Sequence, residues 1–100
     1  MIYYLNSVGT THIKIGYTKK SPSNRLKELQ TGSSFSLQLL ASERGDMTYE
    51  KLLHKKFNGT HILLEWFDVS DELLSHINNI SDYYVECDGK GIQMYSKMKQ

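Results

Sequence analysis

The amino-acid sequence predicts a small α+β domain with a mainly antiparallel sheet. Its 100 residues leave room for one hydrophobic core. The chain begins with two short strand-like segments joined by a glycine-containing turn, which is the pattern of a β-hairpin. The apolar pattern then changes between helical and strand-like spacing in the order ββ-α-β-α-α. Strands and helices in this order favour an α+β domain.

The first two predicted strands cover residues 2–5 and 12–18. In the second strand Ile13 and Ile15 alternate with Lys14, so that the lysine is expected on the opposite face of the sheet. Gly16 interrupts this strand, and either a bulge or a close backbone approach would explain a glycine there. A third apolar run at residues 35–41 predicts a central strand.

Three helices are predicted from leucine spacing and from capping residues. The first covers residues 23–30, with Ser23 as its N-cap and Gly32 at its C-terminal end. The second begins at Asp46 or Thr48, and the third follows Ser70. Between them, residues 62–69 form a short irregular or extended stretch around tryptophan and phenylalanine, at least one of which is expected to be buried.

The C-terminal segment is predicted to be a hairpin or a loosely held tail. Residues 83–87 and 92–95 are strand-like and flank a glycine-rich turn. We therefore expect one domain over residues 1–80 and a C-terminal extension over residues 81–100.

Composition excludes several classes of protein. The single cysteine, Cys87, cannot form an internal disulfide or a four-thiolate zinc site, which favours a reducing, cytoplasmic compartment. No apolar run approaches the ~20 residues needed to span a bilayer, so no membrane association is expected. The N-terminus also lacks the pattern of a signal peptide.

Charge is distributed unevenly along the chain although the net charge is only +1. Residues 11–30 contain five cations and one anion, whereas residues 58–89 contain seven acids and no lysine or arginine. A basic segment of this kind either attracts polyanions or forms an ordinary solvated face. Composition does not distinguish these two interpretations.

A few polar residues stand at positions suited to chemistry. Arg25, at the start of a predicted helix, either holds a phosphate through a two-pronged contact or is an exposed helix residue. Glu50 and His54 lie one helical turn apart and form either part of a divalent-metal site or an ordinary surface pair.

Taken in order, these residues resemble the GIY-YIG nuclease superfamily. Ile2-Tyr3 is followed by Lys14-Ile15-Gly16, by Arg25 on a helix and by Glu50 on a later helix. The chain is most similar to a phage- and virus-associated subgroup whose second motif is Lys-Ile-Gly. The ordered segments that carry the resemblance are residues 2–3, 14–18, 25–26, 29–32, 50–54, 57 and 65–67.

The resemblance implies a three-stranded antiparallel sheet flanked by helices and hydrolysis of phosphodiester bonds with Mg²⁺ or Mn²⁺. It places Tyr3 near the attacking water, Arg25 on the phosphate and Glu50 on the single metal ion. Lys14 replaces the tyrosine of the second motif. If it faces Tyr3, its charge would lower the pKa of a hydroxyl that is otherwise a poor base.

Further site residues are expected around these four. His54 is either an auxiliary catalytic residue or a structural helix residue. Gly16 would let the backbone approach the substrate closely. The remaining predicted substrate contacts are Tyr17, Lys19 and Lys20.

The expected partner is nucleic acid, with DNA favoured over RNA. Since superfamily members often carry a separate DNA-binding domain, a homodimer or a delivery partner is also expected. If the chain comes from a phage or virus, it would act inside the host cell. The alternative is a catalytically inactive module of the same fold that binds nucleic acid or a protein partner, for example as a phage effector. A structural protein that uses its acidic half for contacts is a third class.

Overall fold

The computed structural model describes residues 1–97, and the last three residues of the predicted C-terminal extension lie outside this range. The strands of the described part are β1 (Ile2–Ser7), β2 (His12–Tyr17), β3 (Leu37–Glu43), β4 (His61–Leu63), β5 (Trp66–Asp68), β6 (Tyr83–Asp88) and β7 (Gly91–Ser96). The helices are α1 (Pro22–Thr31), α2 (Met47–Lys56) and α3 (Asp71–Ile80), with a 3₁₀ turn at Asn58–Thr60. The predicted α+β class is confirmed.

The main sheet has five strands in the order β3-β1-β2-β5-β4, and all neighbouring strands are antiparallel. The two strands beyond the expected three are β4 and β5, from the segment predicted to be irregular or extended. β5 pairs with β2, so that Phe67 lies opposite Ile13 and Trp66 opposite Lys14. The prediction that at least one of these two rings is buried is confirmed, because Phe67 has no exposed surface.

The sheet has two distinct faces, because residues directly opposite each other in an antiparallel pair share a face. On the core face Tyr4 lies opposite Ile15, and both belong to the cluster that contains buried side chains of α2 and α3. On the other face Tyr3 lies opposite Gly16 and Leu5 opposite Lys14. We call this second face the α1 face, because α1 packs along β1 and β3 there.

Each helix begins at a side-chain cap. Asp46 and Ser70 cap α2 and α3 as predicted. The cap of α1 is Ser21 and not Ser23, so that prediction was wrong. The physical reason is Pro22, which has no N–H to leave unpaired and whose fixed φ suits the first helical position.

The third strand begins two residues later than predicted. Phe35 precedes β3 and its side chain is 68% exposed, and β3 lies at the edge of the sheet, so the prediction of a central strand that includes Phe35 was wrong. The side chains of Gln30 and Ser33 bond to the backbone carbonyl of Phe35 at 2.8 and 3.0 Å. These local bonds hold residue 35 in the loop that leads from α1 to the sheet.

The C-terminal segment is a packed hairpin of β6 and β7 rather than a loosely held tail. Val85 and Ile92 are buried in the same cluster as the core face of the main sheet. Asn78 of α3 exchanges two hydrogen bonds with the backbone of Val85, at 2.8 and 2.7 Å. Gly91, at φ +109°, lies so close to the turn at Gly9 that a Cβ would come within 2.8 Å of its backbone.

Within residues 1–97, no helix has the length and apolar character needed to cross a membrane.

Candidate active site

Tyr3 and Gly16 face each other across β1 and β2 on the α1 face. A Cβ built on Gly16 would lie 2.3 Å from both Cζ and the hydroxyl oxygen of Tyr3. The ring of Tyr3 therefore lies directly over the glycine. Of the two explanations for a glycine inside β2, close approach is the correct one. The register shifts of the sheet lie elsewhere, between Tyr4 and Leu5 along the pairing of β1 with β3 and between His61 and Leu63 along the pairing of β4 with β5.

Arg25 of α1 meets the Tyr3 hydroxyl on this face. Burial raises the pKa of Tyr3, the hydrogen bond from Arg25 lowers it, and the carboxylates of Glu65 and Glu50 raise it again. The net pKa is above its ordinary value. The hydroxyl therefore stays protonated at neutral pH. Nη1 of Arg25 also lies 3.1 Å from Oε1 of Glu28.

Glu50 belongs to α2 and lies near enough to Glu65 and Lys14 for their charges to act on it. Its helix, α2, packs on the core face, and the pairing of β5 with β2 ends at Lys14. Burial and the charge of Glu65 raise the pKa of Glu50, whereas His54, Lys14 and Lys51 lower it less. The net pKa of the carboxyl is above its ordinary value.

The ring of His54 contacts the backbone of β2. Its Nε2 lies 2.8 Å from the carbonyl oxygen of Ile15 and 3.9 Å from Oε2 of Glu50. A carbonyl oxygen only accepts, so Nε2 must carry a proton and is not free to ligate a metal. The ring also packs edge-on against Phe67, with centroids 5.0 Å apart. These contacts hold α2 against β2 and thereby fix the position of Glu50 relative to the sheet.

Lys14 lies on the α1 face but is paired with a carboxylate. Its Nζ is 3.4 Å from Oε1 of Glu65 and 5.9 Å from the centroid of the Trp66 ring. The expected lowering of the pKa of Tyr3 by Lys14 was wrong, because burial and the two nearby glutamates prevail. Lys14 instead offsets the negative charge around Glu50.

The predicted substrate contacts do not all lie together. Tyr17 is on the core face, one residue out of phase with Gly16, and packs against the hydrophobic cluster. Lys19 and Lys20 are exposed in the segment before α1, and Lys20 forms an ion pair with Glu28. The structure thus brings Gly16 and Arg25 to Tyr3, and it places the charges of Lys14, Glu65 and His54 around Glu50, whose own charge acts on Tyr3. Their catalytic roles stay predictions.

The donors around Glu50 suit a hard divalent cation. Within residues 1–97, no group of three or more His, Cys, Asp or Glu side chains is arranged around a common metal position. Mg²⁺ does not require one, because it is commonly held by one or two carboxylates with water and phosphate oxygens completing the octahedron. Glu50 and Glu65 are close enough to raise the pKa of Glu50, and a cation would relieve this repulsion.

The sequence analysis missed Glu65 as a site residue. It lies beside Trp66 in the segment 65–67 that carries the family resemblance, but only the pairing of β5 with β2 brings its carboxylate to Lys14. The backbone carbonyl oxygen of Glu65 also accepts a hydrogen bond from the N–H of Ile15 at 2.9 Å. The one signal in the sequence was that Glu65 directly precedes Trp66, a large aromatic residue expected to pack against the sheet.

A second polar cluster, on the core face, was also missed. The Tyr4 hydroxyl donates to Oε2 of Glu43 at 2.6 Å, and Nε2 of His76 lies 2.8 Å from the same oxygen. The Tyr49 hydroxyl donates to Oε1 of Glu43 at 3.2 Å. This Glu43 cluster joins β1, β3, α2 and α3. No spacing in the sequence indicates it, because its members come from four separate elements.

Comparison with known protein families matches residues 1–82 to the T5orf172 domain. The chain belongs to the T5orf172 domain family. This family is phage-associated and stands in a nuclease-related context. The comparisons with curated proteins and with solved structures gave no match.

The T5orf172 match covers the chain from β1 to the end of α3. It therefore includes every residue of the candidate site, whereas the β6–β7 hairpin begins at Tyr83, just beyond the match. The site and the sheet that carries it belong to the T5orf172 domain, and the hairpin adds buried surface to its core.

Proposed function

We propose that this T5orf172 domain is a divalent-metal-dependent endonuclease of the GIY-YIG type that hydrolyses phosphodiester bonds of nucleic acid. The observation that carries the proposal is a tyrosine hydroxyl bonded to an arginine guanidinium, with a glutamate carboxylate from a third element close enough for its charge to raise the pKa of the tyrosine. Each group suits one part of phosphodiester hydrolysis, and the α1 face leaves Arg25 partly exposed to an incoming phosphate.

Arg25 is the phosphate-binding group in this proposal. Its guanidinium carries five N–H donors, of which some are used for Tyr3 and for Glu28. The contact with Glu28 is exposed, so a phosphate can replace it at little cost. Tyr3 itself is buried, so its contact helps to keep the guanidinium oriented. Arg25 then neutralises the charge that develops on the phosphoryl oxygens.

Tyr3 positions the attacking water in this proposal. Its raised pKa means that the hydroxyl is a hydrogen-bond partner and not an anion at neutral pH. The oxygen accepts from Arg25 and its proton remains available to a water molecule or a phosphate oxygen. A hydroxyl held in this way fixes the position of the nucleophile without removing its proton.

Glu50 holds the metal ion in this proposal, with Glu65 near enough to share its charge. A bound Mg²⁺ or Mn²⁺ would supply Lewis-acid stabilisation of the phosphate and the leaving oxygen. The carboxylate of Glu50 must be ionised for this role, so its raised pKa predicts weaker metal binding at acid pH. His54 is a positioning residue, because its contact with β2 holds α2, and with it Glu50, in place relative to the sheet.

The test is cleavage of labelled single- and double-stranded DNA and RNA with Mg²⁺ or Mn²⁺. Wild type should cut at least one substrate, and Glu50→Ala should reduce cleavage to background while the circular dichroism spectrum is unchanged. Glu72→Ala, at an exposed position of α3, is the matched control and should cut like wild type. Cleavage by Glu50→Ala at the rate of wild type would refute the metal-site assignment.

Arg25→Lys and Tyr3→Phe separate the other two roles. Arg25→Lys should restore little activity relative to Arg25→Ala, because a point charge lacks the planar fork. Tyr3→Phe keeps the ring over Gly16 and removes only the hydroxyl, so a stable but slow enzyme is expected. If both variants cut like wild type, the proposed roles of these residues fail.

One observation favours a second candidate function, a binding module without catalysis. Lys14 stands where the superfamily has its second tyrosine, and its ammonium is already paired with Glu65. In that case wild type and Glu50→Ala would bind nucleic acid equally and neither would cut it. A homodimer or a delivery partner stays part of either proposal and is tested by sedimentation with and without nucleic acid.

A further inference from the structure

An apolar groove adjoins the candidate active site on the α1 face. It runs between the loop before β3 and the β4–β5 hairpin, and its walls include His12, Phe35, Leu37, Ile62, Leu63 and Trp66. Phe35 is 68% exposed, Leu63 64% and Ile62 45%. Apolar side chains that are exposed side by side in this way usually mark a binding surface.

Phe35 is held in place although its ring is exposed. Gln30 donates to the Phe35 carbonyl at 2.8 Å and accepts from the N–H of Leu37 at 2.7 Å. Ser33 accepts from the N–H of Phe35 at 3.1 Å. The backbone of this loop is therefore fixed by side chains of α1 and of the loop itself. An aromatic ring presented on a fixed backbone loses little entropy when a ligand packs on it.

The opposite wall shows backbone strain at its tip. Leu64, between β4 and β5, has φ +51° and is 76% exposed. A branched apolar residue rarely adopts this conformation, and such strain is concentrated at binding and catalytic sites. His61 contacts the carbonyl of Leu64 at 2.7 Å, which holds the turn in this form. The strained turn points Leu63 and Leu64 away from the core.

The groove is continuous with the charged site. Trp66 lines the groove, and the ammonium of Lys14 lies 5.9 Å from its ring centroid. Strand pairing places Trp66 opposite Lys14, and Lys14 opposite Leu5. A ligand lying along the α1 face would therefore meet the ammonium of Lys14 at one end and the apolar groove with the rings of Phe35 and Trp66 at the other.

We propose that this groove receives an unpaired nucleobase whose phosphate lies towards Lys14, so that the substrate is single-stranded or locally unpaired nucleic acid. A nucleotide is the ligand that joins an anionic phosphate to a flat aromatic ring. In a duplex both faces of each base are stacked, so only an unpaired base can pack against Phe35 and Trp66. Ser7, Thr10 and His12 at the groove supply hydrogen-bonding groups for the edge of the base.

This inference rests on the proposed function, and its test is binding without cleavage. The probes are a fluorescently labelled single-stranded oligodeoxynucleotide, the same backbone with abasic residues, and the matching duplex. Binding is measured by fluorescence anisotropy in EDTA with the full chain. We expect the single strand to bind about tenfold more tightly than the abasic strand, since stacking of one base is worth a factor of that order.

The variants are Phe35→Ala and Leu63→Ser, with Leu52→Ser as the matched control. Leu52 is 59% exposed on α2, comparable to Leu63, and does not line the groove. Both groove variants should weaken single-strand binding about tenfold. Their binding of the abasic strand, the melting temperature and the elution volume should not change. Leu52→Ser should bind like wild type.

Three results would overturn the inference. The first is equal affinity for the normal and the abasic strand, which leaves the nuclease proposal intact if cleavage depends on Glu50. The second is a change of oligomeric state in Phe35→Ala or Leu63→Ser, which would identify the groove as a protein interface. The third is preference for the duplex. If no oligonucleotide binds and none is cut, the proposed function fails together with the inference.

Discussion

At the scale of single residues, the site depends on pairs of side chains that constrain each other. Gly16 is required because the ring of Tyr3 occupies the space where a Cβ would lie. Tyr3 in turn orients Arg25, and burial and Glu65 raise the pKa of Glu50 whereas Lys14 lowers it. A substitution at one member therefore acts on its partner.

Gly16→Ala should displace the ring of Tyr3 and with it the guanidinium of Arg25. Forcing a methyl group into this packed space should lower the free energy of unfolding by about 1–3 kcal/mol. Any cleavage activity should fall by more than the loss of folded protein explains. Gly89→Ala is the control, because nothing lies within 4 Å of a Cβ there. Thermal melting and cleavage are measured on both variants, and a fully active Gly16→Ala protein would contradict the described geometry.

Glu50→Gln should stabilise the fold at neutral pH while it abolishes cleavage. The pKa of Glu50 is raised by burial and by Glu65, so the folded state favours the neutral carboxyl. Below the ordinary carboxyl pKa of about 4.3 both proteins are neutral at this position and equally stable. As the pH rises through the raised pKa, wild type loses stability that the amide variant keeps. Urea unfolding across pH 4 to 8 measures the difference, and a variant less stable than wild type at neutral pH would refute this account.

At the scale of elements, β5 is a short strand with two functions. Its pairing with β2 puts Phe67 into the core and brings Trp66 and the preceding Glu65 to Lys14. His54 of α2 packs on the same Phe67 ring, so the strand and the helix that carries Glu50 are fixed together. Because side chains alternate between the two faces of a strand, Phe67 faces the core and Trp66 faces the candidate site.

Phe67→Ala should lower the free energy of unfolding by about 3–5 kcal/mol, because the ring is fully buried and leaves a cavity. We also expect weaker metal-dependent cleavage, since His54 loses its packing partner. Leu64→Ala, three residues earlier and mostly exposed, should change stability by less than about 0.5 kcal/mol. Denaturant unfolding of the two variants checks this, and equal stabilities would contradict the placement of Phe67.

At the scale of the whole molecule, the Glu43 cluster connects elements that local interactions cannot hold together. It joins Tyr4, Tyr49 and His76 across β1, α2 and α3. Burial raises the pKa of Glu43, but the hydrogen bonds with these three side chains and the electrostatic effect of His76 together lower it by more. The net pKa is below its ordinary value.

Glu43→Gln should therefore destabilise the protein at neutral pH by about 1–3 kcal/mol, because an amide cannot accept all of these bonds. A carboxyl whose pKa is lowered by folding stabilises the fold above its ordinary pKa. That contribution is lost as the pH falls through the lowered value. The difference between wild type and Glu43→Gln should accordingly shrink below about pH 4. Calorimetry over this range measures it, and a difference that stays constant with pH would contradict the assignment.

The sequence by itself determined the features that depend on near neighbours. The alternation of Ile13, Lys14 and Ile15 set the faces of β2, and Asp46 and Ser70 set the starts of two helices. These could be predicted because side-chain alternation and capping act within a few residues. The order of Tyr3, Lys14, Arg25 and Glu50 along the chain also predicted the candidate site residues.

Only the tertiary structure decided which of these side chains meet and what surrounds them. It brought Glu65 to Lys14, assembled the Glu43 cluster and exposed Phe35 beside Trp66. Each of these outcomes depends on strand pairing or helix packing between residues far apart in the chain, and local spacing carries no information about such contacts. The pKa values of Tyr3 and Glu50 follow the same rule, because burial and neighbouring charges exist only once the chain is folded.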